Sequence, residues 1–145
     1  MIEIKRIASK DTFLVRQPVL RAGKPIESCI FDGDDLKTTV HFGLFYDENL
    51  TGVISVFENK NDNFNDGFQM QIRGMAVLEQ YQKKGFGNFL VNTVEEYAKS
   101  QKASLVWFNA REAAVAFYEK LNYTIVGSAF EIKDVGIHYI MCKHL

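Results

Sequence analysis

The chain is short of several things, and each shortage excludes something. Its 145 residues include only two prolines and two cysteines, and neither sign of charge is in excess, with 17 Lys and Arg against 18 Asp and Glu. Pro18 and Pro25 both fall in the first fifth, so the rest lacks the one residue that breaks helix interiors and central strands. Cys29 and Cys142 are far apart without CxxC spacing, which reads as reduced thiols rather than a disulfide framework. A net charge of −1 and a pI near 6.3 carry no basic footprint for nucleic acid; Lys83 and Lys84 make a local basic spot only. His41, His138 and His144 follow no zinc-ligand pattern, and no metal is expected. No apolar run approaches the roughly 20 residues that cross a membrane. The opening Met1-Ile2-Glu3-Ile4-Lys5-Arg6-Ile7 has no apolar core of a signal peptide. The expected compartment is therefore the cytoplasm, with no membrane and no nucleic acid as partner.

Apolar residues make up 47% and aromatics 13%, enough to pack one core, and the length suits one domain spanning 1–145. Alternation predicts a strand over Ile2 to Ile7. Asp11 to Leu20 reads as a short helix limited by Pro18, and Ala22 to Leu36 as irregular. Val40 to Tyr46 and Val53 to Phe57 read as strands joined by a turn over Asp47 to Gly52. Lys60 to Asp66 is a polar loop, and Phe68 to Val77 a longer strand. Phe86 to Gln101 is the clearest helix, with Phe86, Phe89, Leu90, Thr93, Val94, Tyr97 and Ala98 along one face. Ala103 to Phe108 is a strand, Glu112 to Leu121 helical, and Tyr123 to Phe130 and Ile137 to Cys142 close the chain as strands. A strand–helix–strand passage of this length implies a parallel crossover, so the fold class is mixed α/β.

Met75-Ala76-Val77 ends a strand, and Gln82-Lys83-Lys84-Gly85-Phe86-Gly87 opens the next helix in the pattern Q/R-x-x-G-x-G. Two glycines let backbone approach a ligand closely. Free N–H groups and the helix dipole favour an anion there, and Lys83 and Lys84 add charge. A pyrophosphate suits such a cradle. It is neither a P-loop nor a dinucleotide fingerprint, since the lysine-serine/threonine ending and the third glycine are missing.

A second segment sharpens the reading. Asn109, Ala113, Phe117, Tyr118, Lys120 and Tyr123 fit Asn-x(3–4)-Ala-x-x-x-Phe-Tyr-x-Lys-x-x-(Phe/Tyr). In this order and spacing the two motifs resemble those of the GNAT family of acetyl-CoA-dependent N-acetyltransferases. The resemblance runs from Phe68 to about Cys142; the first sixty residues match in element order only. It implies a mostly antiparallel mixed sheet with a splayed parallel strand pair, flanked by helices. It implies acetyl-CoA as cofactor, with CoA as product, and a small-molecule or peptide amine as partner. The pantetheine arm would lie in the splay against Met75, Ala76 and Val77, between Asn109 and Phe117. Gln82, Lys83, Lys84, Gly85, Phe86, Gly87 and Asn88 would hold the pyrophosphate, and Tyr118 would sit near the sulfur. A homodimer through the last strands is an analogy alone.

Acetyl transfer needs a neutral amine, and lysine and α-amino groups have ordinary pKa values of about 10.4 and 8. A base or water chain must take the proton, a strand N–H can bind the developing oxyanion, and the departing thiolate needs an acid. The resemblance makes Tyr118 that acid, against the alternative of a core aromatic. Asn109 could instead cap the following helix. The base is open: Gln69, Gln71 and Arg73 on the preceding strand include no carboxylate, where some family members carry a glutamate. Histidine is the residue type that titrates near neutrality, which makes His138 a candidate and His41 a lesser one. Gln82 stands where arginine is commoner, and Asn122 where glycine is usual, a position that tolerates a left-handed backbone. Glu27, Asp32, Asp34 and Asp35 could draw a cationic amine or form a solvated turn. Arg16, Arg21 and Arg73 could face a carboxylate, and Arg111 is expected to pair on the helix surface. The alternative functions are a non-catalytic acyl-CoA-binding module of the same fold and an unrelated nucleotide-phosphate binder.

Overall fold

The structure is a computed structural model that describes all 145 residues. Its elements run β1 (Ile2–Ile7), α1 (Phe13–Leu20), β2 (Val40–Tyr46), β3 (Asn49–Glu58), β4 (Gln69–Val77), α2 (Phe86–Ser100), β5 (Leu105–Arg111), α3 (Val115–Glu119), β6 (Thr124–Ile132) and β7 (Gly136–His144). They build one seven-stranded sheet in the order β1-β2-β3-β4-β5-β7-β6. Every neighbour pair is antiparallel except β4 and β5. That parallel pair is bridged by α2, the crossover that the 15-residue amphipathic stretch implies.

Alternation along the strands divides the apolar residues between two faces. The main core lies under α2 and α3 and includes Phe42, Leu44, Ile54, Val56, Met70, Ile72, Val106, Phe108 and Met141, with Leu90, Val91 and Val94 of α2. The other face packs Val15 of α1 on Val53 and Ala76, and Phe64 on Leu105 and Trp107.

Several boundaries differ from expectation for physical reasons. The β2–β3 turn is shorter than Asp47 to Gly52: Tyr46 pairs with Asn49, and Asp47 and Glu48 take φ of 48° and 71°, a two-residue turn that suits strand twist. The helical stretch from Glu112 begins as a 3-10 turn (Glu112–Ala114), and only Val115–Glu119 is α-helix. A 3-10 turn (Ser9–Thr12) likewise precedes α1, which contains Pro18. On α2 the buried face is rotated. Val91 and Glu95 are buried, whereas Phe89 is 47% exposed. Glu95 can face inward because the Tyr123 hydroxyl donates to it at 2.8 Å and Lys143 Nζ at 3.1 Å. Asn122 does take the left-handed conformation, with φ 72°.

Candidate functional site

The site begins where the parallel pair stops. β4 and β5 are in register only at Gln69, Met70 and Gln71 opposite Leu105, Val106 and Trp107. Beyond that the strands part, and the backbone of β4 from Ile72 onward has no ladder partner on the β5 side. Sheets of this kind bind ligands where neighbouring strands diverge. A cleft of about 450 Å³ opens there, lined by both splayed strand ends, α3, the α1–β2 connection and the β6–β7 hairpin.

A bulge shapes its wall. On β3, Val53 pairs with Ala76 and Ser55 with Arg73, so Gly74 and Met75 together face Ile54. The extra residue flips the alternation: Met70 and Ile72 face the α2 side before it, Met75 and Val77 after it. Gly74 is required on two counts. Its φ is 67°, and a Cβ there would stand 2.9 Å from the Phe31 ring. The signal was present in the sequence as a lone glycine inside a strand pattern, but Gly74 and Phe31 were not among the expected site residues.

At the C-terminal end of β4 the chain turns through Glu79–Tyr81 into the glycine loop. Lys83 and Gly85 both have positive φ, 62° and 82°. Phe89 N–H is the first in this segment to bond a backbone carbonyl, that of Gly85 at 3.4 Å. The preceding N–H groups, from Lys83 through Asn88, have no protein acceptor. Such a run of free donors at the positive end of a helix, with left-handed residues within it, has the form of a nest suited to an anion. Gly87 permits a close approach of another kind, since a Cβ there would lie 3.0 Å from Phe117 and 3.6 Å from Met75. Lys83 and Lys84 are exposed, whereas Phe86 is buried against Tyr46 and Tyr81. Gln82 is not free: its Nε2 donates to Val77 O at 2.8 Å, tying the loop to β4.

Across the splay stand the residues of the second motif. Tyr118 on α3 is 7% exposed and stacks against Phe108 with ring centroids 4.3 Å apart. It lines the cleft, its hydroxyl has no protein partner, and burial pushes its pKa well above the ordinary tyrosine value. Asn109 lines the cleft as well but caps no helix; the 3-10 turn after β5 starts at Arg111 without a side-chain cap. Phe117 packs edge-on to Tyr118.

The two histidines separate clearly. His138 on β7 lines the cleft, and its Nδ1 donates to Gly136 O at 2.8 Å, which leaves Nε2 as the acceptor nitrogen. His41 is buried outside the cleft, with Nδ1 on Ser55 Oγ at 2.6 Å and Nε2 on Asp34 O at 2.9 Å; it is a structural histidine.

The acidic cluster does not exist as a unit. Asp34 is buried and paired to Arg16 at 2.7 Å, Asp35 accepts from Ser9, and none of Glu27, Asp32, Asp34 or Asp35 lines the cleft. Arg16 faces a carboxylate, as its chemistry suggested, but an internal one. It also donates to Cys29 O and Ser55 Oγ. Arg111 makes no ion pair and lines the cleft instead, with Arg21 and Arg73. Cys29 and Cys142 are buried and unbridged.

Comparison with known proteins agrees with this geometry. Residues 6–123 match the family described as the acetyltransferase (GNAT) family. The uncharacterized N-acetyltransferase YitI of Bacillus subtilis is 32% identical over 145 residues, covering 100% of this chain and 97% of that protein. Among solved structures, Arabidopsis thaliana NAA60 in complex with acetyl-CoA has a TM-score of 0.76 at 14% identity, covering 100% and 99% of the two chains. An aminoglycoside 6'-N-acetyltransferase complexed with coenzyme A has a TM-score of 0.77 at 15% identity, covering 98% and 96%. These two share the overall fold of this chain. No helix is long and apolar enough to cross a membrane. By the match along most of its length and by its near full-length relative, the chain belongs to the GNAT family of acetyltransferases and is an acyltransferase.

Proposed function

We propose that the protein transfers an acetyl group from acetyl-CoA to a primary amine of a small molecule or peptide. The observation that carries this reading is the run of unpaired N–H groups from Lys83 to Asn88, set beside the gap between β4 and β5. The residues fit the donor. The nest and the two exposed lysines suit its pyrophosphate, and β4 at Met75, Ala76 and Val77, past the end of its pairing with β5 and with Val77 O held by Gln82, suits the amides of its pantetheine arm. Asn109 and Phe117 flank that gap. When bound, acetyl-CoA supplies an acetyl group activated as a thioester.

The chain's own groups would do the rest. The backbone at the Gly74–Met75 bulge would supply an N–H to negative charge developing on the carbonyl oxygen. Tyr118 lines the cleft with its hydroxyl free of protein partners and would donate that proton to the leaving sulfur; burial, which opposes the phenolate, requires that the proton be replaced as it leaves. His138, with its tautomer fixed by Gly136 O, would offer Nε2 to take a proton from the acceptor's ammonium, directly or through water, leaving the neutral amine to attack.

Release of free thiol from acetyl-CoA in the presence of an amine pool tests the proposal. Tyr118→Phe is expected to lower kcat by about 10²–10⁴-fold, the usual contribution of general acid catalysis, with the KM for acetyl-CoA little changed. An unchanged kcat would remove Tyr118 as the acid. Binding of acetyl-CoA without thiol release in the presence of any amine would leave a non-catalytic binding module instead.

A further inference from the structure

The acceptor side of the cleft has a charge pattern that the proposed reaction does not by itself require. Arg21 closes α1, Arg73 sits on β4 immediately before the bulge, and both line the cleft. Their guanidinium carbons lie 5.1 and 4.9 Å from the centre of the Phe31 ring, so one aromatic ring organises both. Arg111 adds a third guanidinium at the end of β5, and no aspartate or glutamate is among the lining residues.

These cations keep free donors. A guanidinium has five N–H groups. Arg73 uses one, to Asp32 O at 3.3 Å, and Arg21 two, to Ser28 O at 3.2 Å and Leu20 O at 3.0 Å. All of these acceptors are neutral carbonyls. The nearest buried carboxylate, Asp34, is committed to Arg16 and to Phe31 N–H. Arg16 lies 3.9 Å from the same ring and is paired to Asp34, whose charge also acts on Arg73 from below the cleft. Arg73 is crowded as well as half-buried: desolvation lowers its pKa, and Arg16 and Arg21 add to that effect against Asp34 and Asp32. A cleft that holds cations together without a matching carboxylate suits an anionic guest.

We infer that the acceptor amine carries a carboxylate, and that Arg21 and Arg73 bind it across the Phe31 ring. Arg73 adjoins the bulge that would hold the reacting carbonyl, so the carboxylate lies close to the amine, as in an amino acid or the end of a short peptide. This rests on the acetyltransferase reading above and names its substrate class. Planar guanidinium forks match carboxylates in a way that lysine does not.

The test uses the twenty amino acids, their carboxamides and their decarboxylated amines as acceptors, with thiol release as readout and acetyl-CoA binding measured separately by thermal unfolding. Carboxylate-bearing amines are expected to exceed their matched carboxamides by about tenfold or more in kcat/KM, mostly through KM. In Arg21→Gln and in Arg73→Gln that acid-over-amide preference should collapse toward unity, and Arg73→Lys should recover only part of it. A retained acetyl-CoA shift in each variant shows that it is folded. Equal or faster turnover of the carboxamides would overturn the inference, and so would acetyl-CoA binding with no turnover of any carboxylate-bearing amine. Failure of acetyl-CoA to bind is a separate result, which would remove the acetyltransferase reading itself.

Discussion

At the scale of single residues, the most exposed dependence is the buried ion pair under the cleft. Arg16 is 0% exposed and Asp34 5%, and together with Ser55, His41 and the Phe31 N–H they form one hydrogen-bonded unit. Removing one charge leaves the other buried without a partner. Asp34→Ala should therefore cost about 3–5 kcal/mol in urea denaturation. A loss below about 1 kcal/mol, the scale of a surface pair, would contradict this account. Two tyrosines give a dependence on pH. Burial raises the pKa of Tyr118, and burial together with the Glu95 carboxylate raises that of Tyr123. The folded state then keeps protons that the unfolded chain gives up near pH 10, so stability is intact below that pH and falls as pH rises above it. Tyr123→Phe should flatten the decline by up to about 1.4 kcal/mol per pH unit; chemical denaturation between pH 9 and 11 reads the slope, and an unchanged slope would remove Tyr123 from the account. None of these partnerships is local. Arg16 finds Asp34 across 18 positions and Tyr123 finds Glu95 across 28, which is why the sequence could set Arg16 only against a carboxylate of a substrate, and the acidic residues only against an amine or solvent.

At the scale of elements, the glycine loop makes the clearest prediction. Gly85 begins α2 with φ 82°, and a Cβ there would meet nothing. Gly85→Ala is then penalised only through its backbone, by about 1–2 kcal/mol. If that strain is relieved by turning the N–H nest outward, acetyl-CoA affinity falls roughly tenfold while the fold survives. Gly87→Ala has no such φ and acts through contact with Phe117, so it should weaken binding less. Isothermal titration of both variants checks the order, and equal affinity of Gly85→Ala and the parent would argue against the nest. The loop was legible in the sequence because its conformation is set by residues within it. The same holds for β1, whose alternation gave its limits, and for β2, whose apolar run ends at the turn. The α2 face was misread by one step, because Phe89 fits the helical period as well as Val91 does, and only the sheet beneath decides which is covered. Gln82 was expected at the pyrophosphate, yet its amide reaches back to Val77 O, a pairing that spacing alone does not reveal.

At the scale of the whole molecule, the site follows from where two strands separate. α2 carries the chain from β4 to β5, and β7 takes the next place so that β6 lies at the edge. The cleft is thus lined from both faces of one sheet, by α3 on one side and the α1–β2 connection on the other, with the bulge at Gly74 between them. We propose that residues 1–145 form one domain, which predicts a single unfolding transition. Thermal unfolding with acetyl-CoA, with ATP as control, tests the central claim most directly. A ligand at a hundredfold over its dissociation constant adds about 2.7 kcal/mol, which for this size is a rise of about 5–10 °C. The account predicts that rise with acetyl-CoA and none of comparable size with ATP. No rise with acetyl-CoA, or an equal rise with ATP, would contradict it.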